Sequence, residues 1–379
     1  MIPGVSRHLV FCGFVVLKLW LADVSNAAEI GLLPEVRAIT ARDGLEAAKA
    51  VLERRLEERD DSKGALERRV IQTTRNAALS LPDSLAAMPV SQRSRIAIAI
   101  VPGTRAGNRS GKDRTRDCLQ GAAATSREMG FATYFLDTEA RGTISQNEVL
   151  IAGQMRRIFQ DSDSVIIVML SKGAHDVIRF LEVGGSELPL TSRRKLAAVI
   201  SLAGTTQGSV VADWMVTSPR PLAATTRAWL RLSGQGDTIE MLRSISTSAW
   251  SSATAPDIGR RYPNLTWISI AMIPDGEDAR ITERLWAPGI RKRIERTSPY
   301  FSPADGLVES AASVLPEEVA VPEWIIAAYG SHAMPNGTYR DGTRIAPQTT
   351  VPGEEKLKPE TGGEVLSAYL RAIPRSILH

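Results

Sequence analysis

The sequence contains very little cysteine, histidine and aromatic residue. Among 379 residues there are only 2 cysteines and 4 histidines, and aromatic residues make up 5%. Cys12 falls in a leader-like N-terminal stretch, which leaves Cys118 alone and excludes an internal disulfide in the remainder. We expect Cys118 to be a buried, small apolar side chain on a helix over residues 113–129. Scattered histidines and one cysteine offer no ligand cluster, so no metal site and no cofactor are predicted.

Apolar runs long enough to span a membrane are also missing. Arg7 precedes the apolar run 9–17, and Lys18 ends it well short of the ~20 residues that a spanning helix needs. The small residues of Ser25-Asn-Ala27 occupy the positions that signal peptidase reads. Residues 1–27 are therefore predicted to be a cleavable signal peptide, and the protein to be secreted or periplasmic without a stable transmembrane anchor.

Charge of one sign is not concentrated anywhere. The formal net charge is +4, with 43% hydrophobic and 23% charged residues, which is an ordinary globular composition. Arg291-Lys-Arg-Ile-Glu-Arg is typical of a solvated helix face. Basic and aromatic residues do not alternate in any segment, so a nucleic-acid partner is not expected.

Residues 28–90 are predicted to form a helical N-terminal extension. Apolar residues recur there at helical spacing, at Leu45, Ala48, Leu52 and Leu56. A second helix is predicted over 65–78. The apolar face of the extension could pack on the domain that follows, or the extension could pair with a second subunit to give a homo-oligomer. We favour the first interpretation, because helical amphipathicity alone does not identify a partner.

From residue 91 to 379 helices and strands alternate. Strands are predicted to end at Val101 and to cover 130–137, 165–170, 196–202 and 265–273, with helices over 113–129, 145–160 and 174–182. Strands joined by helices of this length imply parallel crossovers in a three-layer αβα sandwich. The tail 335–363 is rich in Pro, Gly and Thr and is predicted to be irregular, with a last helix over 365–372.

Residues 164–176 carry the strongest functional pattern in the chain. An apolar run of strand length stops at Ser171, Gly173 follows, and helix-compatible sequence continues. This order is typical of a nucleophile elbow, a sharp strand-to-helix turn that exposes a serine hydroxyl. Met169 departs from the G-x-S-x-G pattern at its first glycine. The alternative, purely structural interpretation is that Ser171 caps the N-terminus of the following helix.

A serine hydroxyl is a poor nucleophile and needs a general base. His8 lies in the leader and His379 is the last residue. His175, one turn beyond Ser171, is better placed to pack or to cap than to reach back over the elbow. His332, in a loop-like stretch after an apolar run, is therefore the predicted base.

An acid is needed to orient the histidine. Asp305 lies between Ser171 and His332 on a Gly-containing turn, and the order Ser…Asp…His is that of α/β-hydrolases. Asp275, directly after the strand predicted over 265–273, is the alternative acid. Asp305 could also serve only as an Asx-turn residue.

On these residues, the chain from about residue 95 onward resembles an α/β-hydrolase of the lipase/esterase kind. Pro102-Gly103 resembles the oxyanion loop after the first central strand, where His-Gly is common. Residues 196–214 resemble a strand and glycine turn of lipases, and Asp305-Gly-Leu-Val resembles an acid turn. The resemblance implies a helical cap over 213–262, and an oxyanion hole built from the backbone N–H groups of Lys172 and Thr104.

The implied activity is hydrolysis of small-molecule or lipid carboxylic esters. Two alternatives belong to other classes. A hydrolase-fold protein that only binds ligands is suggested by Met169 and the missing His-Gly. A nucleotide-binding αβα domain could use the loop 101–107, but that loop lacks the spacing of the phosphate-binding glycine motifs.

Overall fold

The computed structural model describes residues 31–104, 114–219, 221–232, 236–274, 302–332, 337–346 and 359–378. Seven strands in these ranges form one sheet: β1 Ile96–Val101, β2 Ala132–Phe135, β3 Ser164–Leu170, β4 Leu196–Leu202, β5 Thr266–Ile273, β6 Glu323–Tyr329 and β7 Thr338–Tyr339. They lie in the order β2-β1-β3-β4-β5-β6-β7. Neighbours from β2 to β6 run parallel, and β7 pairs antiparallel with β6.

Helices precede the sheet and connect its strands. Those in the described ranges are α1 Leu32–Asp43, α2 Leu45–Arg59, α3 Ala65–Arg75, α4 Val90–Arg93, α5 Arg114–Glu128, α6 Ile144–Asp161, α7 Gly173–Glu182, α8 Leu190–Arg193, α9 Val210–Thr217, α10 Pro221–Leu232, α11 Gly236–Ser244, α12 Ile258–Arg261 and α13 Pro359–Ala372. Short 3₁₀ turns cover Leu85–Ala87, Gly184–Glu187, Ala255–Asp257, Ser310–Ser313 and Arg375–Leu378. Throughout the described ranges, every helix falls short of the length and hydropathy that a bilayer-spanning segment requires.

The sheet is covered on both faces, as the alternation along β1 shows. Ile96, Ile98 and Ile100 pack into a cluster that includes side chains of α5 and α13. Ala97, Ala99 and Val101 point the other way, into a cluster that includes side chains of α6 and α7. Parallel strands need such helical crossovers, because their hydrogen-bonded neighbours cannot be joined by a tight turn. The predicted three-layer αβα sandwich is confirmed.

The C-terminal tail is more ordered than its composition suggests. Residues 335–363 were expected to be irregular, but β7 lies within them and α13 begins at Pro359. Gly362 explains the error, since a Cβ there would meet the carbonyl oxygen of Cys118 at 1.9 Å. Glycine lowers helix propensity but permits this close packing of α13 on α5. Cys118 is buried as expected, and burial raises the pKa of its thiol to about 12.

The N-terminal extension is helical and packs on the sheet. Buried apolar side chains of α1 and α2 share one cluster with residues of β5, β6 and the 3₁₀ turn after residue 309: Leu32, Leu33, Val36, Ala48, Leu52, Leu56, Ala271, Ile273, Ala311, Ile325 and Ala327. The predicted second helix ends at Arg75 instead of residue 78. Because the apolar face of the extension is used within the chain, a homo-oligomer would need another surface and stays a prediction.

The segment between β4 and β5 is helical, as a cap in this position would be, and its bounds at residues 213–262 stay a prediction. Its first helix, α9, begins three residues earlier, where the Ser209 hydroxyl accepts a hydrogen bond from the Ala212 N–H at 3.3 Å. Trp214 and Trp250 are buried, whereas Trp229 on α10 is 59% exposed. Two of these tryptophans therefore belong to the core, and of the three only Trp229 is mostly exposed.

Candidate active site

The strand order places a crevice between the carboxyl ends of β1 and β3. From β1 the chain moves outward to β2, and then returns past β1 to β3 on its other side. In open parallel sheets, ligand sites form outside the carboxyl ends of the strands at such a reversal. Gly103 follows β1 and Ser171 follows β3, so the two sequence motifs meet at this point.

Ser171 occupies a strained turn between β3 and α7. Its φ is 53°, in the left-handed region that L residues other than Asn and Asp rarely enter. Strain of this kind persists only where the surroundings hold it, and it concentrates at functional sites. A Cβ at Gly173 would lie 2.9 Å from the Val101 carbonyl oxygen, and one at Gly103 would lie 2.8 Å from the Leu170 carbonyl oxygen. Close passage of two chain segments therefore requires both glycines.

Met169 does not obstruct the elbow. Its side chain is fully buried in the cluster that contains Ala174 and Val177 of α7. It therefore packs beneath the helix that follows the turn, instead of filling the space above Ser171.

The turn after β4 holds the elbow from its other side. Ser171 N–H donates to the Leu202 carbonyl at 3.1 Å, and Thr205 N–H donates to the Ser171 carbonyl at 3.2 Å. Ala203, in the same turn, has a φ of 44°. Two residues in strained conformations thus end the neighbouring strands β3 and β4. Ser171 is bonded to the turn after β4, and the Ala203 N–H donates to the Ile270 carbonyl of β5 at 3.2 Å.

Ser171, His332 and Asp305 form one hydrogen-bonded chain. The Nδ1 of His332 lies 2.8 Å from Asp305 Oδ2, and its Nε2 lies 2.9 Å from Ser171 Oγ. A carboxylate only accepts, so Nδ1 carries the proton and Nε2 presents its lone pair to the serine hydroxyl. His332 is 11% exposed at its side chain and Asp305 is 3% exposed. The hydroxyl is therefore next to a base whose tautomer is fixed by a buried acid.

Asp305 is both the partner of His332 and a turn residue, which the sequence offered as alternatives. Its Oδ1 accepts the N–H groups of Leu307 at 3.0 Å and Val308 at 2.8 Å. Its carbonyl accepts the His332 N–H at 2.8 Å. These bonds leave Oδ2 directed at the imidazole. The other candidate acid, Asp275, lies outside the described residues.

The side chain of Lys172 is held in a buried ion pair. Its Nζ is buried and donates to both oxygens of Asp176, at 2.8 and 2.7 Å. Asn147 of α6 donates to Asp176 Oδ2 at 2.9 Å. Burial raises the pKa of Asp176 to about 6, and Lys172 opposes that rise. This buried pair fixes the first turn of α7, directly after the serine.

The predicted oxyanion donors flank Ser171. Lys172 follows it in the chain, and Thr104 follows Gly103, where an added Cβ would lie 3.1 Å from the Cβ of Ser171. The two segments that carry these N–H groups therefore lie against each other at the elbow. Among the residues the structure describes, no group of three His, Cys, Asp or Glu side chains could hold a metal ion.

His175 packs beneath the site, as expected, and does not reach the serine. Its Nδ1 lies 2.7 Å from Thr205 Oγ1 and its Nε2 lies 3.0 Å from the Thr247 carbonyl oxygen. Because a carbonyl only accepts, Nε2 carries the proton and Nδ1 accepts from the threonine. Burial lowers the pKa of His175 to about 4, so the ring is neutral at pH 7.

Sequence reasoning missed Asn147, Asp176, Thr205 and Glu309 of this region. The four-residue spacing of Lys172 and Asp176, at the start of a predicted helix, is a signal that could have revealed the ion pair. Thr205 and Glu309 have no such signal, because Thr205 bonds Ser171, 34 residues away, and Glu309 bonds Arg37 of α1, 272 residues away. Only the folded chain brings them together.

Neither a protein-family model nor a curated protein matches the chain. Solved structures do resemble it. A metagenomic carboxyl esterase, MGS0156, is 17% identical over 73% of this chain and 76% of its own, with a TM-score of 0.46. The mature Bacillus licheniformis lipase BlEst2 is 17% identical over 63% and 85%, with a TM-score of 0.37. Phospholipase PlaB from Legionella pneumophila is 10% identical over 58% and 45%, with a TM-score of 0.38.

The fold is that of the α/β-hydrolases, as the sequence resemblance predicted. It is defined here by the chain's own features, namely the order of the parallel strands, the strained serine after β3 and the cap between β4 and β5. At the identities found, the substrates of the similar proteins do not transfer to this chain.

Proposed function

We propose that this protein is a serine hydrolase that cleaves carboxylic esters through an acyl-enzyme. The observation that carries the proposal is the chain from Ser171 Oγ to His332 Nε2 at 2.9 Å and from His332 Nδ1 to Asp305 Oδ2 at 2.8 Å. Nucleophile, base and orienting acid within hydrogen-bond reach are the requirements of this chemistry, whichever fold supplies them.

The first half-reaction forms the acyl-enzyme. Ser171 Oγ attacks the ester carbonyl carbon while His332 Nε2 takes the hydroxyl proton, and Asp305 stabilises the imidazolium that results. Backbone N–H groups of Lys172 and Thr104 donate to the oxyanion, where losing one such donor typically raises the barrier by about 3–4 kcal/mol. The imidazolium then protonates the leaving alcohol as the carbon–oxygen bond breaks.

The second half-reaction repeats these roles with water. His332 takes a proton from the water that attacks the acyl carbon, and returns it to Ser171 as the acid product leaves. For the acyl group we propose an apolar chain. The support is the helical cap between β4 and β5 with its exposed Trp229, because apolar, aromatic surfaces with few polar groups suit such ligands.

A fluorophosphonate probe tests the proposal. Active protein should become labelled at Ser171, as peptide mass mapping would show, and Ser171→Ala should remain unlabelled. A panel of p-nitrophenyl esters from acetate to palmitate then reports the preferred acyl length. Absence of labelling in folded protein would leave the ligand-binding alternative and would reject the hydrolase.

We also propose that the protein is exported, on the strength of the leader-like residues 1–27, which lie outside the described residues. Mass spectrometry of the mature protein should find a chain that starts at Ala28 or Glu29. A membrane-pelleting chain that retains Met1 would contradict export.

A further inference from the structure

The loop that carries Asp305 contains a second buried acid that the proposed mechanism does not use. Glu309 is 1% exposed. Its Oε1 accepts Ser302 Oγ at 2.8 Å and Arg37 Nε at 2.9 Å, and its Oε2 accepts Arg37 Nη2. Arg37 belongs to α1, 272 residues earlier in the chain. A two-pronged guanidinium–carboxylate bond therefore joins the N-terminal extension to the acid loop.

The loop between Asp305 and Glu309 is closed by short-range bonds. Asp305 N–H donates to the Val308 carbonyl at 2.9 Å, and Ala304 pairs with Glu309 as an antiparallel bridge. The two N–H groups that orient the Asp305 carboxylate belong to Leu307 and Val308. Because these residues immediately precede Glu309, a displacement of Glu309 would carry the Asp305 donors with it.

Helix α1 contacts the same loop through its apolar face. Val36, one residue before Arg37, shares a cluster with Val308 and Ala311 on either side of Glu309. At the start of α1, Leu32 N–H donates to Glu317 Oε1 at 2.8 Å. The helix is thus docked along the loop, and Arg37 supplies the positive partner of the buried Glu309.

We propose that Arg37 is a positioning residue for the acid of the active site. Through Glu309 it fixes the loop in the conformation that directs Asp305 Oδ2 at His332. This inference rests on the proposed Ser171–His332–Asp305 triad. Removing Arg37 would leave a buried carboxylate without its cation, a costly state that is relieved when Glu309 moves toward water or takes up a proton, and either change disturbs the bonds that hold the loop.

The effect of Arg37→Ala should therefore fall on kcat. A misplacement of catalytic groups by about 1 Å costs on the order of 10²-fold, so we expect a loss of about 10–100-fold with KM changed less than about threefold. Arg37→Lys keeps the charge without the two-pronged geometry and should lose less. Arg55→Ala is the matched control. Arg55 pairs with Glu35 at 3.1 Å and Glu58 at 3.1 Å inside the extension, so kcat should stay within about twofold.

A double-mutant cycle separates positioning from general destabilisation. If Arg37 acts through Asp305, Arg37→Ala should lower kcat in the wild-type background but change it by less than about threefold in the Asp305→Asn background. If the loss of kcat in the double variant equals the product of the losses in Arg37→Ala and Asp305→Asn, the proposal is overturned. Should Arg37→Ala fold poorly, Glu309→Gln, which removes the buried charge, is expected to show a smaller loss with the same dependence on Asp305.

A spectroscopic readout makes the test independent of turnover. The Nδ1 proton of His332, bonded to a carboxylate, should give a downfield resonance in ¹⁵N-histidine-labelled protein, assigned by its absence in His332→Ala. We expect it to be lost or broadened in Arg37→Ala and unchanged in Arg55→Ala. An unchanged resonance in Arg37→Ala would refute positioning even if ester hydrolysis is present. If the protein shows no Ser171-dependent hydrolysis but the resonance is lost in Arg37→Ala, the proposed function is refuted and the positioning role of Arg37 is not.

Discussion

The nucleophile and the acid are held by different kinds of structure. At the elbow, Ser171, Lys172 and Asp176 lie within six residues, and the strand–turn–helix junction itself sets their geometry. The acid and base are assembled from distant segments instead. Asp305 and His332 are 27 residues apart, and His332 is 161 residues from Ser171.

The difference teaches where each half of the site is vulnerable. The elbow combines a local strand–turn–helix junction and the buried Lys172–Asp176 pair with close packing against the end of β1 and hydrogen bonds to the turn after β4. The acid loop depends on contacts with β5 and β6, which flank it in sequence, and with α1, whose Arg37 lies 272 residues from Glu309. Perturbations of the N-terminal extension should therefore reach Asp305 more readily than Ser171.

The largest effect on activity should come from removing the contact between Ser171 of the elbow and His332 of the acid–base region. Ser171→Ala and His332→Ala should each remove nearly all esterase activity, because attack and proton transfer occur in one step. The double variant should be little worse than either single one. Steady-state rates against a p-nitrophenyl ester provide the measurement. More than a few per cent of wild-type rate in Ser171→Ala would show that the nucleophile is misassigned.

The next effect concerns the acid region alone. Asp305→Asn should keep the fold but lower kcat by about 10³–10⁴-fold, because an amide favours the wrong histidine tautomer. Asp275→Asn is the comparison variant and should stay within a few-fold of wild type. The reverse pattern would move the acid role to Asp275 and leave Asp305 as a turn residue.

In the elbow region, loss of the buried Lys172–Asp176 pair should lower the stability of the protein. Lys172→Met leaves Asp176 buried without its cation, and breaking such a pair typically costs about 3–5 kcal/mol in the free energy of unfolding. Urea unfolding at pH 7 measures this. Arg156→Ala removes an exposed pair with Glu187 and should cost less than about 1 kcal/mol. Equal costs for the two variants would mean that the buried pair does not hold the elbow.

The smallest expected effect is a pH dependence of stability from His175. Its pKa is about 4 in the folded chain against 6.5 for the free side chain, so between these values only the unfolded chain binds the proton. The neutral His175 therefore contributes to the free energy of unfolding above about pH 6.5, and this contribution is lost as the pH falls toward 4. At pH 5 it has lost about 2 kcal/mol relative to neutral pH.

His175→Gln, which can still bond at both ends of the side chain, should abolish this part of the dependence. Unfolding free energies of wild type and variant at pH 7 and pH 5 give the comparison. Asp176, whose raised pKa favours folding on acidification, contributes with opposite sign to both proteins and cancels in the difference. Identical losses in the two proteins would contradict the assignment to His175.

The elbow could be predicted from the sequence more directly than the acid and base could. The apolar run to Leu170, then Ser171 and Gly173, predicts strand, turn and helix, because each signal lies within one element. The role of His332 was reached by elimination among four histidines. Gly362 misled the prediction for the tail, since its value lies in contact with Cys118, which no local pattern encodes.

The sequence by itself determined the alternation of the first five strands with helices and the position of the elbow. These depend on periodicity and on residues that are neighbours in the chain. The tertiary structure decided which hydroxyl, imidazole and carboxylate meet, and that Arg37 reaches the acid loop through Glu309. Such contacts arise when the sheet order brings the strand ends together and helix α1 docks beside them, so their geometry exists only in the folded chain.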